Sequence, residues 1–294
     1  MADLRAYVAN CLVGGHTFTR ERQHVTRDTI ELVCDGKTLV LKQRPDVASG
    51  RFQALKGTFA DTTQILVSDV AGSEVTKTLD IVYRVCWLLS LAGLSRVVCY
   101  GYDYPDRSGN SSRHTAFGTA EFFRPTLEIR DGRLIKAFIE QTYPTFKRLE
   151  RSRKLNVVID YLLQAERPSQ PTECKLLFAF VLLENLKDTF ARSKGIPYQK
   201  GFFRKSVGPR SRKYSFEELL QLMFADVRMR RGLKRIVRLR NDIVHSGLTR
   251  RPHAKNWAMY ERIHDIVREY LLRVLGYRGE YLVYSRGSNA VAMV

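Results

Sequence analysis

The hydrophobic pattern changes character near residue 132 of this 294-residue chain, and that change restricts the possible folds more than any other feature. Before it, short β-branched and apolar runs are separated by Gly, Ser and Asp, a pattern typical of strands and turns. After it, apolar residues recur every three or four positions, which is typical of helices. We therefore predict an α+β protein, with a β-rich mixed domain over residues 1–132 and an all-α bundle over residues 133–294.

The clearest local signal in the first half is a hairpin over residues 29–42. Asp35-Gly36 separates two runs rich in β-branched and apolar residues, and Asp-Gly favours a type I′ turn. A helix is predicted over residues 75–94, where apolar residues keep a helical period after a capping Ser73. Further strands are expected over residues 17–22, 51–59, 64–70, 96–104 and 116–129.

The second half is predicted to be helical throughout. Its first helix, over residues 134–142, is expected to end before Pro144, because proline disfavours a helical conformation in the residue that precedes it. Five more helices are expected, over residues 145–166, 173–193, 215–229, 233–245 and 256–275.

Positive charge is concentrated in the second half of the chain. The first 150 residues carry 20 basic and 17 acidic side chains, whereas residues 151–294 carry 29 basic and 13 acidic side chains. Solubility alone does not require such segregation, so we expect a polyanionic partner, and RNA is the favoured one.

Cysteine spacing and apolar run length bear on location and cofactors. Five cysteines are widely spaced and form no C-x-x-C pair, so neither a disulfide framework nor a zinc site is expected. The longest uninterrupted apolar run has eight residues, which is too short to cross a bilayer. We expect a soluble, cytoplasmic protein that does not engage a membrane and needs no metal or other cofactor.

A basic segment without acidic residues joins the predicted third and fourth helices, over residues 195–213. Cations that hold phosphates beside rings that stack bases are what a single-stranded RNA contact requires. The alternative interpretation is an exposed loop whose aromatic rings pack back onto the bundle. The candidate RNA contacts are Lys200, Phe202, Phe203, Arg204, Lys205, Arg210, Arg212 and Lys213.

The predicted fifth helix carries the most specific chemical pattern, Arg240-Asn241-Asp-Ile-Val-His245. Arg240 falls on an apolar stripe, and a charged residue on a core-facing stripe is expected to be paired or functional. Asn241 precedes His245 by four residues, so one side chain can orient the other. Arg238, on the same helix, is a further expected RNA contact. The apolar stripe consists of Leu233, Ile236, Val237 and Val244.

With this motif the chain resembles the HEPN superfamily, whose all-helical domains occur in many prokaryotic toxin, abortive-infection and CRISPR-effector ribonucleases. The family motif is Arg-x(4–6)-His, commonly with Asn directly after the Arg, and the resemblance covers roughly residues 154–275. Family members often carry an acidic residue on an earlier helix, and Glu184 is the candidate for it. Because Glu184 lies in the most apolar segment of the chain, it needs a cation, and Arg240 is the expected one. A structural ion pair with another arginine is the alternative.

The resemblance implies endonucleolytic cleavage of single-stranded RNA without a metal ion, in antiviral defence or toxin action. RNA supplies its own nucleophile, the 2′-hydroxyl, so the protein must supply a proton-transfer group and a cation for the phosphorane charge. His245 is expected to transfer the proton and Arg240 to grip the phosphate by two parallel hydrogen bonds. Asn241 and Glu184 complete the candidate catalytic set. Family members usually pair two HEPN domains around one cleft, which implies a homodimer or a second HEPN-bearing subunit.

A non-catalytic module that binds nucleic acid or docks a partner is the alternative, because some HEPN proteins keep the fold without cleaving RNA. In that case Arg240 and Glu184 would form a structural pair. Exposure discriminates between the two hypotheses. A catalytic His245 must reach solvent together with Arg240, whereas a structural His245 would be buried and bonded to a nearby carbonyl.

Overall fold

The computed structural model describes residues 1–21, 24–48, 55, 57–105, 107–110, 123–208, 210–247, 251–287 and 289–293. Contacts between Cα atoms divide the chain into two units. The first unit holds Met1–Lys147 and most of the chain after Leu275, and the second holds Arg148–Val274 with Tyr284–Gly287. The chain is mixed α+β with an antiparallel sheet in its N-terminal half, which confirms the predicted fold class at this level.

Within the described residues, seven strands form the antiparallel sheet of the first unit, in the order β2-β3-β4-β5-β1-β6-β7. Helix α2 follows the short helix α1 and packs on the sheet through buried side chains that include Val82, Val85 and Leu89. The two helices are α1 Pro45–Ala48 and α2 Val75–Gly93. The strands are β1 Ala2–Ala9, β2 Thr17–Glu21, β3 His24–Cys34, β4 Lys37–Gln43, β5 Asp61–Val70, β6 Val98–Tyr104 and β7 Arg107–Asn110.

Strand β1 lies inside the sheet although its sequence carries a weak strand signal. It pairs with β5 on one side and β6 on the other, where Ala6 faces Ile65 and Tyr102. The side chains of Leu4, Ala6 and Val8 alternate along the strand and are fully buried. Alanine has little strand propensity, so long-range pairing and burial place these residues in a strand.

The hairpin predicted over residues 29–42 is confirmed. Strands β3 and β4 pair in register up to Cys34 and Lys37. Between them Asp35 and Gly36 both have positive φ, 50° and 72°, as a type I′ turn requires. The local sequence was sufficient here because this turn needs two residues that tolerate the left-handed conformation, and Asp-Gly supplies them.

The strand predicted over residues 116–129 is not formed in its described part. Its first seven residues lie outside the described residues, and residues 123–129 form bends and turns. There the backbone N–H of Thr126 donates to the carbonyl of Ala92 at the end of α2, at 2.8 Å. This segment therefore supplies a hydrogen-bond donor to a carbonyl at the end of α2 instead of joining the sheet. The strand predicted over residues 51–59 lies mostly outside the described residues.

Helix α3, Gly132–Leu149, continues through Pro144, so the predicted helix end before this proline is wrong. Phe138 lies before the proline and Phe146 after it, and both are fully buried on the same apolar stripe as Tyr143. Burial of that stripe outweighs the roughly 3 kcal/mol that proline costs inside a helix. Nearly all of α3 belongs to the first unit, although the sequence assigned it to the bundle.

Helices make up most of the second unit, and four of them match predicted helices to within about three residues at each end. Residues 150–154 form turns between α3 and α4, so the predicted helix over residues 145–166 is wrong in its first part. Ser215 caps α6 with a reciprocal capping box to Glu218, as its sequence favours. The helices are α4 Leu155–Ala165, α5 Thr172–Ser193, α6 Phe216–Asp226, α7 Lys234–Ser246 and α8 His253–Leu275.

Two short hairpins interrupt the predicted all-helical second half, so that prediction is wrong in detail. Strands β8, Tyr198–Gln199, and β9, Phe202–Phe203, lie between α5 and α6. Strands β10, Glu280–Val283, and β11, Asn289–Ala292, follow α8. Among the described residues, no helix combines the length and the hydropathy that a bilayer crossing requires.

A buried cluster of charges lies in the core of the second unit. The Glu166 carboxylate accepts hydrogen bonds from Arg268 and from the hydroxyl of Tyr260, and it lies 2.9 Å from Nδ1 of His264. Arg268 also pairs with Asp265 at 3.0 Å. Burial alone would raise the pKa of Glu166, but the adjacent Arg268 guanidinium holds it at about 2. Burial lowers the pKa of His264 against the opposing attraction of Glu166.

Folding stability is expected to decline as the pH falls below about 6.5, because the unfolded state then binds a proton that buried His264 resists. The stability that comes from Glu166 is lost only at lower pH, between its unfolded pKa of about 4.3 and its folded pKa of about 2. Urea unfolding at about pH 7.5 and at about pH 5.5 measures the first effect. A single histidine can change the free energy of unfolding by at most about 1.4 kcal/mol per pH unit.

The matched variants for this pH effect are His264→Gln and His245→Gln. His264→Gln should flatten the decline in stability, whereas His245→Gln should keep it, because His245 is exposed. An unchanged decline in His264→Gln would assign it to other groups.

Candidate nucleic-acid site

The motif lies on α7, whose buried face differs from the predicted stripe. Ile236, Leu239 and Ile243 are buried, whereas Val237 is half-buried and Val244 is exposed. The helix ends at Gly247, which has φ of 69° and donates its N–H to the carbonyl of Ile243 at 2.8 Å. Arg240 therefore stands at the edge of the buried face instead of at its centre.

Arg240 is held by three neighbouring side chains. Its Nη2 donates to Oε1 of Glu184 on α5 at 2.7 Å, and its Nη1 donates to Oδ1 of Asn241 at 3.1 Å. Its guanidinium lies 5.1 Å from the ring centroid of Phe216 at the start of α6. The predicted contact between Glu184 and Arg240 is thus present, and it fixes the orientation of the guanidinium.

Glu184 is less buried than its apolar sequence context suggests. Its side chain is 35% exposed, that of Arg240 is 23% exposed, and Oε2 of Glu184 also lies 2.7 Å from Nζ of Lys187. The Glu184 carboxylate therefore faces two cations, so Glu184, Lys187 and Arg240 together carry a net positive charge. Lys187 is a site residue that the sequence analysis missed. Its position three residues after Glu184 was the available signal, because residues at this spacing lie side by side on a helix.

His245 is exposed near the end of α7. Its side chain makes no hydrogen bond or ion pair with any residue that the structure describes. Asn241 lies one turn earlier on the same side of the helix and accepts a hydrogen bond from Arg240. Helix α7 thus carries an exposed imidazole and, five residues earlier, a fixed guanidinium, which are the two groups that metal-free phosphodiester cleavage needs.

Two of the predicted RNA contacts in the basic segment are buried. Phe203 is 5% exposed and packs with Ala191 and Leu219, and Arg204 is 7% exposed. Nη1 of Arg204 donates to the carbonyl of Ser211 at 2.7 Å, so this arginine stabilises the fold of the segment over residues 195–213. For Phe203 the alternative interpretation is correct, since its ring packs back onto the bundle. Neither residue has the surface that an RNA contact needs.

The other predicted contacts of this segment are exposed, and they differ in their partners. Nζ of Lys213 lies 3.5 Å from the ring centroid of Phe202. Lys205 and Arg212 share the Glu218 carboxylate, at 2.7 Å and 3.4 Å. The cations that make no ion pair with a described residue are Lys200, Arg210 and Lys213.

Arg238 is also exposed, and it leaves α7 on a different side from Arg240. It lines a groove between α7 and α8 with further basic residues. Within the described part of the chain, no cluster of three or more His, Cys, Asp or Glu side chains is arranged to hold a metal ion.

Comparison with known proteins found no match to this chain. No family model matches the chain, and neither a curated protein nor a solved structure is significantly similar to it.

Proposed function

We propose that this protein is a metal-independent endoribonuclease of the HEPN type, which cleaves single-stranded RNA through attack of the 2′-hydroxyl. The observation that carries the proposal is that His245 is exposed and makes no hydrogen bond or ion pair with a described residue, on the same helix as an Arg240 whose guanidinium is fixed by Glu184 and Asn241. Exposure is the property that separates a catalytic from a structural histidine here. A role in prokaryotic antiviral defence or toxin action follows from the resemblance to HEPN ribonucleases.

In this proposal each side chain has a distinct task. His245 exchanges a proton with the 2′-hydroxyl or the leaving 5′-oxygen. Arg240 stabilises the charge that develops on the phosphorane, because only two of its five N–H donors are engaged by Glu184 and Asn241. Lys187 adds a second positive charge next to the same carboxylate. Asn241 and Glu184 act as positioning residues for Arg240.

A dimeric site is supported by exposed apolar side chains around the Arg240–Glu184 pair. Leu177 and Val181 precede Glu184 by seven and three residues on α5, on its side of the helix, and both are exposed. Val244 lies one turn after Arg240 on α7 and is exposed as well. A second copy of this chain, or another HEPN-bearing subunit, that covers this surface would bury it and bring two motifs together.

The reaction makes a direct prediction about metal ions and product ends. We expect purified protein to cleave single-stranded RNA in excess chelator and to leave a 2′,3′-cyclic phosphate, because the nucleophile belongs to the RNA. A substrate with a single 2′-deoxy substitution at the cleaved position should resist cleavage there. Chemical analysis of the product ends measures this outcome. Cleavage that stops in chelator, or that attacks DNA equally, would contradict the proposed chemistry.

A non-catalytic nucleic-acid-binding module is the second candidate. The observation that favours it is that the Arg240 guanidinium already contacts three side chains of the same chain, those of Glu184, Asn241 and Phe216. RNA that is bound but never cleaved, both by the natural chain and by His245→Ala, would support this candidate.

A further inference from the structure

A basic groove lies between α7 and the first half of α8, within the second unit. Its volume is about 680 Å³, and the side chains that line it include five cations and no acidic residue. Met259 contributes apolar surface to the same groove. The five cations are Arg235, Arg238, Arg251, Lys255 and Arg262.

Most of this charge is uncompensated. Arg251 lies 3.8 Å from Asp242, but the other four cations are exposed and make no ion pair with any residue that the structure describes. Elsewhere in this unit, cations such as Lys187 and Lys194 are paired with carboxylates. Like charges that share one groove repel each other and raise the local potential, which favours an anionic occupant.

The spacing of the cations suits an extended phosphodiester strand. Lys255 and Arg262 are seven residues apart and lie on one side of α8, about 10 Å from each other along the helix axis. Arg235 and Arg238, one turn apart on α7, form the facing row. A stacked strand rises about 3.4 Å per nucleotide, so the groove matches two or three nucleotides. Met259, which lies between Lys255 and Arg262 on α8 and also lines the groove, offers an apolar contact for a sugar or base.

The groove is also aligned with the candidate catalytic histidine. Arg238 precedes His245 by seven residues, so both side chains leave the same side of α7 about two turns apart. We propose that this groove binds the backbone of the single-stranded RNA whose scissile phosphate lies at His245, roughly three nucleotides along the strand. This inference rests on the proposed ribonuclease function. It assigns substrate-binding roles to Arg235, Lys255 and Arg262, which lie outside the motif.

The test is a triple charge reversal, Arg238→Glu, Lys255→Glu and Arg262→Glu, compared with a control of equal charge change in the first unit. The control is Lys77→Glu, Arg133→Glu and Arg278→Glu, because these three side chains are exposed and make no ion pair with described residues. Both triples are made in the full chain, alone and with His245→Ala, so that binding is measured on intact RNA. The probe is a labelled single-stranded RNA of mixed sequence, titrated over a range of salt concentrations.

We expect the groove triple to weaken RNA binding about tenfold and to reduce the slope of log Kd against log salt by about 2, since each lost phosphate contact removes about 0.7. In the catalytically competent chain it should raise KM with little change in kcat, because the groove holds RNA away from the cleaved bond. The control triple should change both values much less.

The possible results separate this inference from the proposed function. Unchanged affinity and salt slope in the groove triple, or an equal loss in the control triple, would overturn the groove as an RNA site and leave the ribonuclease proposal intact. Selective loss of binding in the groove triple, together with absence of cleavage by the natural chain, would support the groove and overturn the ribonuclease. Absence of RNA binding by the natural chain would overturn the groove proposal directly.

Discussion

Replacement of His245 by alanine is expected to reduce the rate of RNA cleavage by about 10²–10⁴-fold, the usual contribution of a positioned acid or base. Folding should be nearly unaffected, because the imidazole is exposed and makes no hydrogen bond to a described residue. Single-turnover cleavage of labelled RNA measures the rate, and thermal unfolding measures the stability. His245→Gln should be equally inactive, since glutamine keeps hydrogen bonding but cannot transfer a proton near neutral pH.

His253→Gln is the matched control for this loss of activity. His253 is the other exposed histidine among the described residues of the second unit, and it stacks on Trp257 outside the motif. The His253→Gln protein should cleave RNA at nearly the natural rate. A His245→Ala protein that cleaves at the natural rate would remove the central residue from the proposed mechanism.

Mixing of chains tests whether the site is shared between two copies. Active protein combined with an excess of His245→Ala should lose more activity than simple dilution predicts, provided that the chains exchange. The physical reason is that one motif offers one imidazole, whereas a two-fold axis supplies two around the same phosphate. Linear dilution under demonstrated exchange, or a fully active monomer in sedimentation, would show that one chain holds a complete site.

Arg240→Gln is expected to reduce the rate of cleavage by about 10²–10³-fold. Enzymes generally lose about this much when one preorganised group that stabilises transition-state charge is removed. The free energy of unfolding should fall by less than about 1 kcal/mol, because Glu184 is partly exposed and keeps Lys187 at 2.7 Å. A fully buried and unpaired carboxylate would instead cost several kcal/mol. Large loss of activity with small loss of stability therefore distinguishes a catalytic arginine from a structural one.

Two further variants sharpen the test of Arg240. Arg240→Lys keeps the charge beside Glu184 but loses the planar fork, so it should retain stability and recover only part of the rate. Lys194→Gln removes a comparable surface ion pair with Asp226, at 2.6 Å, and should leave cleavage unchanged. Full activity in Arg240→Gln, or unfolding of that variant, would place Arg240 in a structural role.

The features that the sequence predicted well depend on neighbouring residues. The hairpin at Asp35-Gly36 is confirmed, and two helix ends lie within a residue or two of their predicted positions: the start of α6, where Ser215 forms a capping box, and the end of α7 at Gly247. Each arises from a turn or cap in which the backbone conformation of one or two residues decides the outcome. The same locality placed Asn241 and His245 one turn apart on a single helix.

The features that were missed depend on what a facing element contributes. Pro144 stays helical because Phe138 and Phe146 are buried on either side of it, and β1 is a strand because two neighbours pair with it. The sequence predicts Arg204 to be a surface cation, but its side chain is buried against its own segment. No local pattern carries this information, because burial is a property of the assembled structure.

The sequence by itself determined the α+β composition, the helix that bears Arg240, Asn241 and His245, and the concentration of positive charge in the second half. Only the tertiary structure decided that Glu184, 56 residues before Arg240, is shared with Lys187 and partly exposed. It alone placed the cations of α7 and α8 on two sides of one groove. The physical reason is range: helix periods and turn geometry act over a few residues, whereas charge neutralisation and burial depend on contacts between distant parts of the chain.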